Sequence, residues 1–272
     1  MVKVNRGQGP ADDGRAQAAR EYETLCALQG MFPQNDRFGT LVPLGHLEGE
    51  GRGIMVTRLF HGMDLARYSR KLALEDVQET FRSAGVWLRT LHQIGRDGAP
   101  VQTLGVADRL DYLERTYGSV LHPDPAIQKA CGVLERAGHR IKALAVPAVR
   151  IHGDFKPENL LCDGIRFVGL DIHLTSVGAA VYDVAPFLNH VWFAYHRIWS
   201  PGAKQHHELA CAGFLSGYGD VGDARALPWA QLYFALCHLG GYRRRGTLTS
   251  RYANWKVWPL VHSLAGKLED AT

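Results

Sequence analysis

Ile151-His152-Gly153-Asp154-Phe155-Lys156-Pro157-Glu158-Asn159-Leu160-Leu161, followed shortly by Phe167-Val168-Gly169-Leu170-Asp171, is the stretch whose reading decides the fold. Residues 160–170 are strand-like and are split by Asp163-Gly164, a pair that favours a tight hairpin turn. Such a hairpin returns Asp171 to the loop that bears Asp154 and Asn159. Phosphoryl transfer asks for a carboxylate that orients and deprotonates the attacking hydroxyl, and for hard oxygen ligands that place magnesium against the phosphates. Asp154 is the candidate base. Asn159 and Asp171 are the candidate metal and nucleotide ligands, and Lys156 is the cation that offsets charge on the transferring phosphoryl. Taken singly, Asp154 and Asn159 are ordinary turn formers, Asp171 a capped strand end and Lys156 a solvated loop lysine. His152 reads as an architectural histidine bonded to loop backbone rather than a proton shuttle. The joint spacing, not any one residue, carries the chemistry.

His-Gly-Asp, an Asn five residues after that Asp, and an apolar strand ending in Asp resemble the aminoglycoside phosphotransferase and choline kinase family, small-molecule relatives of the protein kinases. Asp183 in Tyr182-Asp183-Val184-Ala185 matches the Asp-Leu-Ala that follows the metal Asp in that family, as a structural residue. Leu88-Arg89-Thr90-Leu91-His92 resembles the Leu-His that closes the helix ahead of the insert. The resemblance implies an α+β, two-lobed protein-kinase-like fold with a truncated β-rich N-terminal lobe and a mainly helical C-terminal lobe. It implies ATP or GTP with Mg2+, and a hydroxyl acceptor on a small molecule such as a sugar or amino alcohol. Departures from the protein kinases point the same way. Gly153 replaces their Arg, Asp171-Ile172-His173 lacks Phe-Gly, and Asp183 follows Asp171 too closely for a peptide-binding activation segment.

The family also has a strand lysine on the α/β-phosphates, held by a helix glutamate. Lys3 in Val2-Lys3-Val4 is the candidate lysine, and Glu21, ahead of Glu23, the candidate glutamate. Two more strands and a phosphate-covering loop belong before that lysine, yet only Met1 and Val2 precede Lys3. Either the sequence starts late or the lid is abridged. This motivates the alternative of a non-catalytic pseudokinase, a nucleotide-sensing scaffold.

Working outward, residues 1–5 read as a strand, and residues 15–29 as a helix that Gly30 stops. Residues 41–47 and 53–59 read as a hairpin, with 55–60 as the hinge offering backbone groups to a purine edge. His61-Gly62 divides residues 1–60, the nucleotide-binding lobe, from 61–272, the lobe with the catalytic loop and substrate site. Val77, Phe81, Ala84, Leu88 and Leu91 form one apolar helix face, and helical patterns cover 108–117, 127–137 and most of the chain after Tyr182.

The 272 residues are 46% apolar and 21% charged, enough to bury a real core. The formal charge of +4 suits an anionic ligand but falls short of a nucleic-acid signature. Five scattered cysteines without C-x-x-C spacing argue for reduced thiols in a cytoplasmic protein. No signal-peptide core or membrane-length apolar run is visible. His206-His207-Glu208 reads as a solvated helix face, because adjacent helical side chains do not converge. Residues 184–272 hold nine Lys/Arg against five Asp/Glu, with Arg243-Arg244-Arg245 among Tyr242, Tyr252 and Trp255. That balance disfavours a polycationic antibiotic; aromatic faces with basic neighbours suit a sugar or an anionic group on one, and the competing reading is a basic helix face with its aromatics in the core.

Overall fold

The computed structural model describes residues 2–6, 14–32, 37–49, 52–94, 101–172, 177–195 and 202–270. In chain order the elements are β1 (Val2–Arg6), α1 (Gly14–Met31), β2 (Phe38–Thr40), β3 (Pro43–Gly49), β4 (Arg52–Thr57), β5 (Met63–Asp64), α2 (Leu65–Tyr68), α3 (Leu74–Gln93), β6 (Val101–Thr103) and α4 (Val106–Leu121). Then follow α5 (Pro125–Ile141), β7 (Ala145–Arg150), β8 (Leu160–Cys162), β9 (Phe167–Gly169), β10 (Val177–Ala179), α6 (Val181–Tyr195), α7 (Ala203–Tyr218), α8 (Ala226–Arg244), α9 (Thr247–Lys256) and α10 (Trp258–Asp270). They cluster into two compact units. The first holds 1–96, 150–177 and 212–219; the second holds 97–149, 178–211 and 220–272.

In the first unit, β1, β4 and β3 form an antiparallel sheet in which Lys3 stands opposite Met55 and Leu47 opposite Ile54. Helix α1 packs on this sheet and runs through Gly30, which was expected to stop it. Nothing lies within 4 Å of where a Gly30 Cβ would sit, and the residue keeps helical backbone to Met31. A second sheet has the order β2-β9-β8-β5, with β2 parallel to β9 and the other pairs antiparallel. Buried Leu25, Leu41, Met55 and Val168 knit the elements together, with Phe60, Leu161 and Leu170 against them.

Helix α3 begins with Glu75 and Asp76 in its first turn, where carboxylates favour the positive end of the helix dipole. Its expected apolar stripe is buried in full, and Trp87 is buried with it. The last turns of α7 cross α3 at a distance only glycine permits. A Cβ on Gly213 would meet the Gln78 carbonyl, one on Gly217 the Arg82 carbonyl, and one on Gly85 the Phe214 carbonyl. The buried pair His92 Nδ1 and Tyr218 hydroxyl, 2.9 Å apart, closes the end of this crossing.

The second unit is a helical cluster around α8, which packs on α4, α5, α6, α9 and α10. Trp229, Leu232, Tyr233, Leu236 and Leu239 of α8 are all buried. Several of its buried polar groups are hydrogen-bonded inside the unit, as interior groups generally are. Trp229 Nε1 donates to the Leu134 carbonyl at 3.0 Å, Asn189 Nδ2 to the Gln231 carbonyl at 2.8 Å, and the Tyr182 hydroxyl to the Leu104 carbonyl. Strands β10, β7 and β6 form a small sheet in that order. No helix among the described residues is long and apolar enough to cross a membrane.

The two helical glycines make opposite predictions. Gly217→Ala forces a methyl into backbone and costs about 1–3 kcal/mol, the usual scale of overpacking. Gly30→Ala enters open space and gains about 0.5–1 kcal/mol by restricting the unfolded chain. Urea unfolding of the two variants reads both signs, and equal effects would refute the close crossing.

Candidate active site

The loop from His152 to Asn159 is fixed first by an apolar side chain. Phe155 is 0% exposed and lies parallel to Trp87, with ring centroids 5.5 Å apart and planes 6° apart. Phe214 packs against it at 6.3 Å. Burying such a ring is worth about 1.5–3 kcal/mol. The ion pair beside it, Lys156 Nζ to Asp154 Oδ2 at 2.6 Å, joins side chains 28% and 47% exposed and belongs to a class worth about 0–1 kcal/mol. Phe155 therefore positions the loop, and the polar residues are left to face outward.

Gly153 adopts φ 89°, a left-handed backbone that glycine tolerates without strain. This turn lets the Asp154 amide donate toward Nδ1 of the fully buried His152 at 3.4 Å, the loop-holding role expected of that histidine. Asn159, at the end of a short 3-10 turn over Pro157–Asn159, is 7% exposed. Its Nδ2 donates to the Asp154 carbonyl at 2.8 Å and to Asp154 Oδ2 at 3.0 Å. The two residues are thus one unit: the amide aims the carboxylate, and Asn159 Oδ1 remains as an acceptor for a cation.

The hairpin then returns the chain. Leu160 pairs with Gly169, Leu161 with Val168 and Cys162 with Phe167. Asp163 builds the turn by accepting from the amides of Ile165 at 3.1 Å and Arg166 at 2.8 Å, with Gly164 at φ 99°. The Leu170 amide donates to the Asn159 carbonyl at 2.9 Å, so Asp171 leaves the strand one residue beyond that bond. Asp171 is the only non-glycine with positive φ among the described residues, at 52°. Aspartate tolerates this region better than most residues, and such backbone concentrates at functional sites. An amide oxygen and a carboxylate are hard donors suited to Mg2+, which takes few protein ligands and completes its shell with phosphate and water.

Glu21 sits half-buried on α1. Lys3 stands in β1, but its side chain lies outside the described residues, as does the expected pairing with Glu21. Asp183 is fully buried in the first turn of α6. No group of three or more metal-ligating side chains occurs among the described residues. The 206–208 face is partly packed rather than wholly solvated, since Trp192 meets His207 edge-on at 5.2 Å and His207 Nε2 lies 3.3 Å from Cys211 Sγ. All five cysteines are free. Burial pushes Cys131 and Cys162 up to about 11, and Cys211 and Cys237 up to about 12, so these four are not thiolate nucleophiles.

The basic run of α8 is divided in its uses. Arg243 donates to Asp124 Oδ2 and Asn254 Oδ1, both at 2.9 Å, and Arg244 to the Thr116 carbonyl at 3.3 Å. Arg245 lies over the Tyr242 ring at 5.8 Å. Asp124 caps α5 through the amides of Ala126 and Ile127, so Arg243 supports a helix start rather than a ligand. The Arg243 hydrogen bond, followed by those capping amides, holds the Asp124 carboxyl below its usual range. A depressed carboxylate contributes stability that is present above its unfolded pKa and lost as pH falls through the folded one. Arg243→Ala is therefore expected to cost about 1–3 kcal/mol at pH 7, and less near pH 3. A loss that is the same at both pH values in denaturant titrations would contradict the pairing.

The family model described as "Phosphotransferase enzyme family" matches residues 2–219. No curated protein sequence matches the chain. Among solved structures, the fold is similar to a GDP complex of wild-type aminoglycoside 2'-phosphotransferase-IIIa, with TM-score 0.62, 14% identity, and 98% of this chain and 93% of that one covered. It is similar to a thermostable mutant of an aminoglycoside phosphotransferase in ternary complex with AMP-PNP and hygromycin B, with TM-score 0.63, 15% identity, and coverage of 97% and 86%. It also resembles an amicoumacin kinase in complex with AMP-PNP, Ca2+ and Ami, with TM-score 0.59, 11% identity, and coverage of 100% and 84%.

Proposed function

Because this chain belongs to the phosphotransferase enzyme family, we propose that it transfers the γ-phosphoryl of ATP or GTP to a hydroxyl of a small molecule. The observation that carries this reading is the bonding of Asn159, which aims Asp154 through its side chain and anchors Leu170, next to Asp171, through its carbonyl. Asp154, about half exposed, accepts the proton of the acceptor hydroxyl. The acceptor oxygen forms its bond to the γ-phosphorus as the bond to the β-phosphate oxygen breaks, and the nucleoside diphosphate leaves. Lys156, now 2.6 Å from Asp154, is within reach of the transferring group and offsets its charge. Mg2+ held by Asn159 and Asp171 supplies charge neutralisation at the phosphates when bound. Lys3, held by Glu21, grips the α/β-phosphates, and backbone groups of 55–60 meet the purine. In this reading residues 1–60 serve the nucleotide, residues 61–272 serve catalysis and the acceptor, and the enzyme works in the cytoplasm, where nucleotide is available.

For the acceptor we favour a sugar, an amino alcohol or a related metabolite. A cavity of about 260 Å³ in the second unit is lined by Tyr117, His238, Tyr242 and Arg245, aromatic and basic groups suited to a sugar face or an anionic substituent. A different cleft between α4 and α5 carries Asp111, Glu114 and Glu135, two of them paired with Arg115 and His122, which keeps aminoglycosides in the test.

Purified protein assayed with Mg·ATP and Mg·GTP against sugars, amino alcohols and aminoglycosides is expected to turn over one acceptor class. Asp154→Ala should lower kcat by about 10²–10⁴, the usual contribution of a positioned base. Nucleotide binding without transfer to any acceptor would instead favour the non-catalytic scaffold.

A further inference from the structure

The sequence leaves open whether the aromatics beside the basic run of α8 lie in the core. On α9 they do not. Tyr252 is 40% and Trp255 43% exposed, and Leu248, at 82%, is the most exposed large apolar side chain among the described residues. These three stand at i, i+4 and i+7, one stripe of a helix surface, and Arg251 and Lys256 flank it. The opposite face is seated. Ala253 is buried, Asn254 Oδ1 accepts from Arg243 at 2.9 Å, and Thr249 Oγ1 donates to the Tyr242 carbonyl at 2.9 Å. Helix α9 is therefore clamped to the end of α8 with its apolar stripe outward. The rings join into one patch, since Tyr252 meets Trp255 at 5.9 Å and Tyr242 at 5.7 Å, both edge-on. Arg245 and Lys256 contact rings, Tyr242 at 5.8 Å and Tyr252 at 5.3 Å, and no carboxylate among the described residues partners them or Arg251. Along the chain, no Asp or Glu occurs between Asp223 and Glu269.

We propose that α9 docks this chain on the surface of an anionic phospholipid bilayer, lying among the headgroups without crossing the membrane. Charge complementarity decides the partner. Three cations without carboxylate partners surround an exposed Leu, Tyr and Trp, the composition of helices that lie in the membrane interface. Trp and Tyr seat their amphipathic rings at headgroup level, and Lys and Arg stems reach from the apolar zone to the phosphates. A single-stranded nucleic acid would stack on the rings but leave Leu248 in water. A second copy joined through the same face would set the cations of one patch against those of the other. The patch is continuous with the cavity favoured for the acceptor, because Tyr242 and Arg245 belong to both. Docking would bring that cavity close to the bilayer.

Co-sedimentation of the full chain with vesicles tests this, phosphatidylcholine alone against phosphatidylcholine with about 30 mol% phosphatidylserine at about 0.15 M salt. The anionic vesicles are expected to bind the protein at least about tenfold more tightly than the neutral ones. Arg251→Glu should weaken that binding by about tenfold or more, and Leu248→Ser by about threefold or more. Both side chains are exposed, so unaltered melting temperatures serve as the folding control. No binding to either vesicle, equal binding to both, or parental affinity in either variant would each overturn the proposal. Tighter binding to a labelled single-stranded RNA than to the vesicles, or a dimer in lipid-free solution that Leu248→Ser dissociates, would assign the patch to another partner and overturn it equally. Vesicle binding requires neither nucleotide nor acceptor, so it stands or fails independently of phosphotransfer.

Discussion

The indole of Trp87 touches three segments that are distant in sequence and holds them in one place. Its Nε1 donates to the Gly39 carbonyl at 2.8 Å, its face lies on Phe155, and its edge occupies the space where a Gly169 Cβ would be. One buried side chain on α3 thereby fixes β2, the catalytic loop and β9. The distance between the candidate base and the candidate metal carboxylate depends on the last two. A glycine at 169 is required because any larger residue would push β9 away from the indole, and with it Asp171. The indole must also keep its hydrogen bond, since a buried N–H without a partner costs about 1–3 kcal/mol.

This arrangement separates anchoring from chemistry. Phe155, Trp87, Phe214 and His152 provide the burial, and between them Asp154, Lys156 and Asn159 form hydrogen bonds that are short but partly solvated. Such bonds add little to stability, and on the proposed reading they exchange with substrate and nucleotide. Among the described residues Asp171, in its left-handed backbone, is the one non-glycine position where the chain accepts this conformational cost. The cost is small for aspartate, and it falls on the residue proposed as a metal ligand.

Much of this was legible in the sequence where the signal is local. Asp163-Gly164 specified the hairpin because turn chemistry acts over four residues, and the α3 stripe was visible because burial repeats with the helix. The Asp154/Asn159/Asp171 spacing was legible as a set. What the sequence concealed depends on partners far along the chain. Nothing near Phe38–Thr40 announces a three-residue strand, because its parallel partner β9 is more than a hundred residues away. Gly85, Gly213 and Gly217 look like ordinary helical glycines until the opposing carbonyls are known. Gly30 suggested a helix stop, yet the helix continues, since α1 packs on β4 and tertiary contact outweighs a propensity deficit of about 1 kcal/mol. Arg243 had the composition of a binding residue and is instead bonded to a helix cap.

The account turns on whether Asp171 and Asn159 serve as metal ligands beside a base that does not. Electron paramagnetic resonance of Mn2+ titrated into the protein with AMP-PNP measures this without any acceptor. The account predicts nucleotide-dependent Mn2+ binding that Asp171→Asn weakens by at least about tenfold and Asp154→Asn leaves within about threefold. Mn2+ bound as tightly by Asp171→Asn as by the parent protein would contradict it.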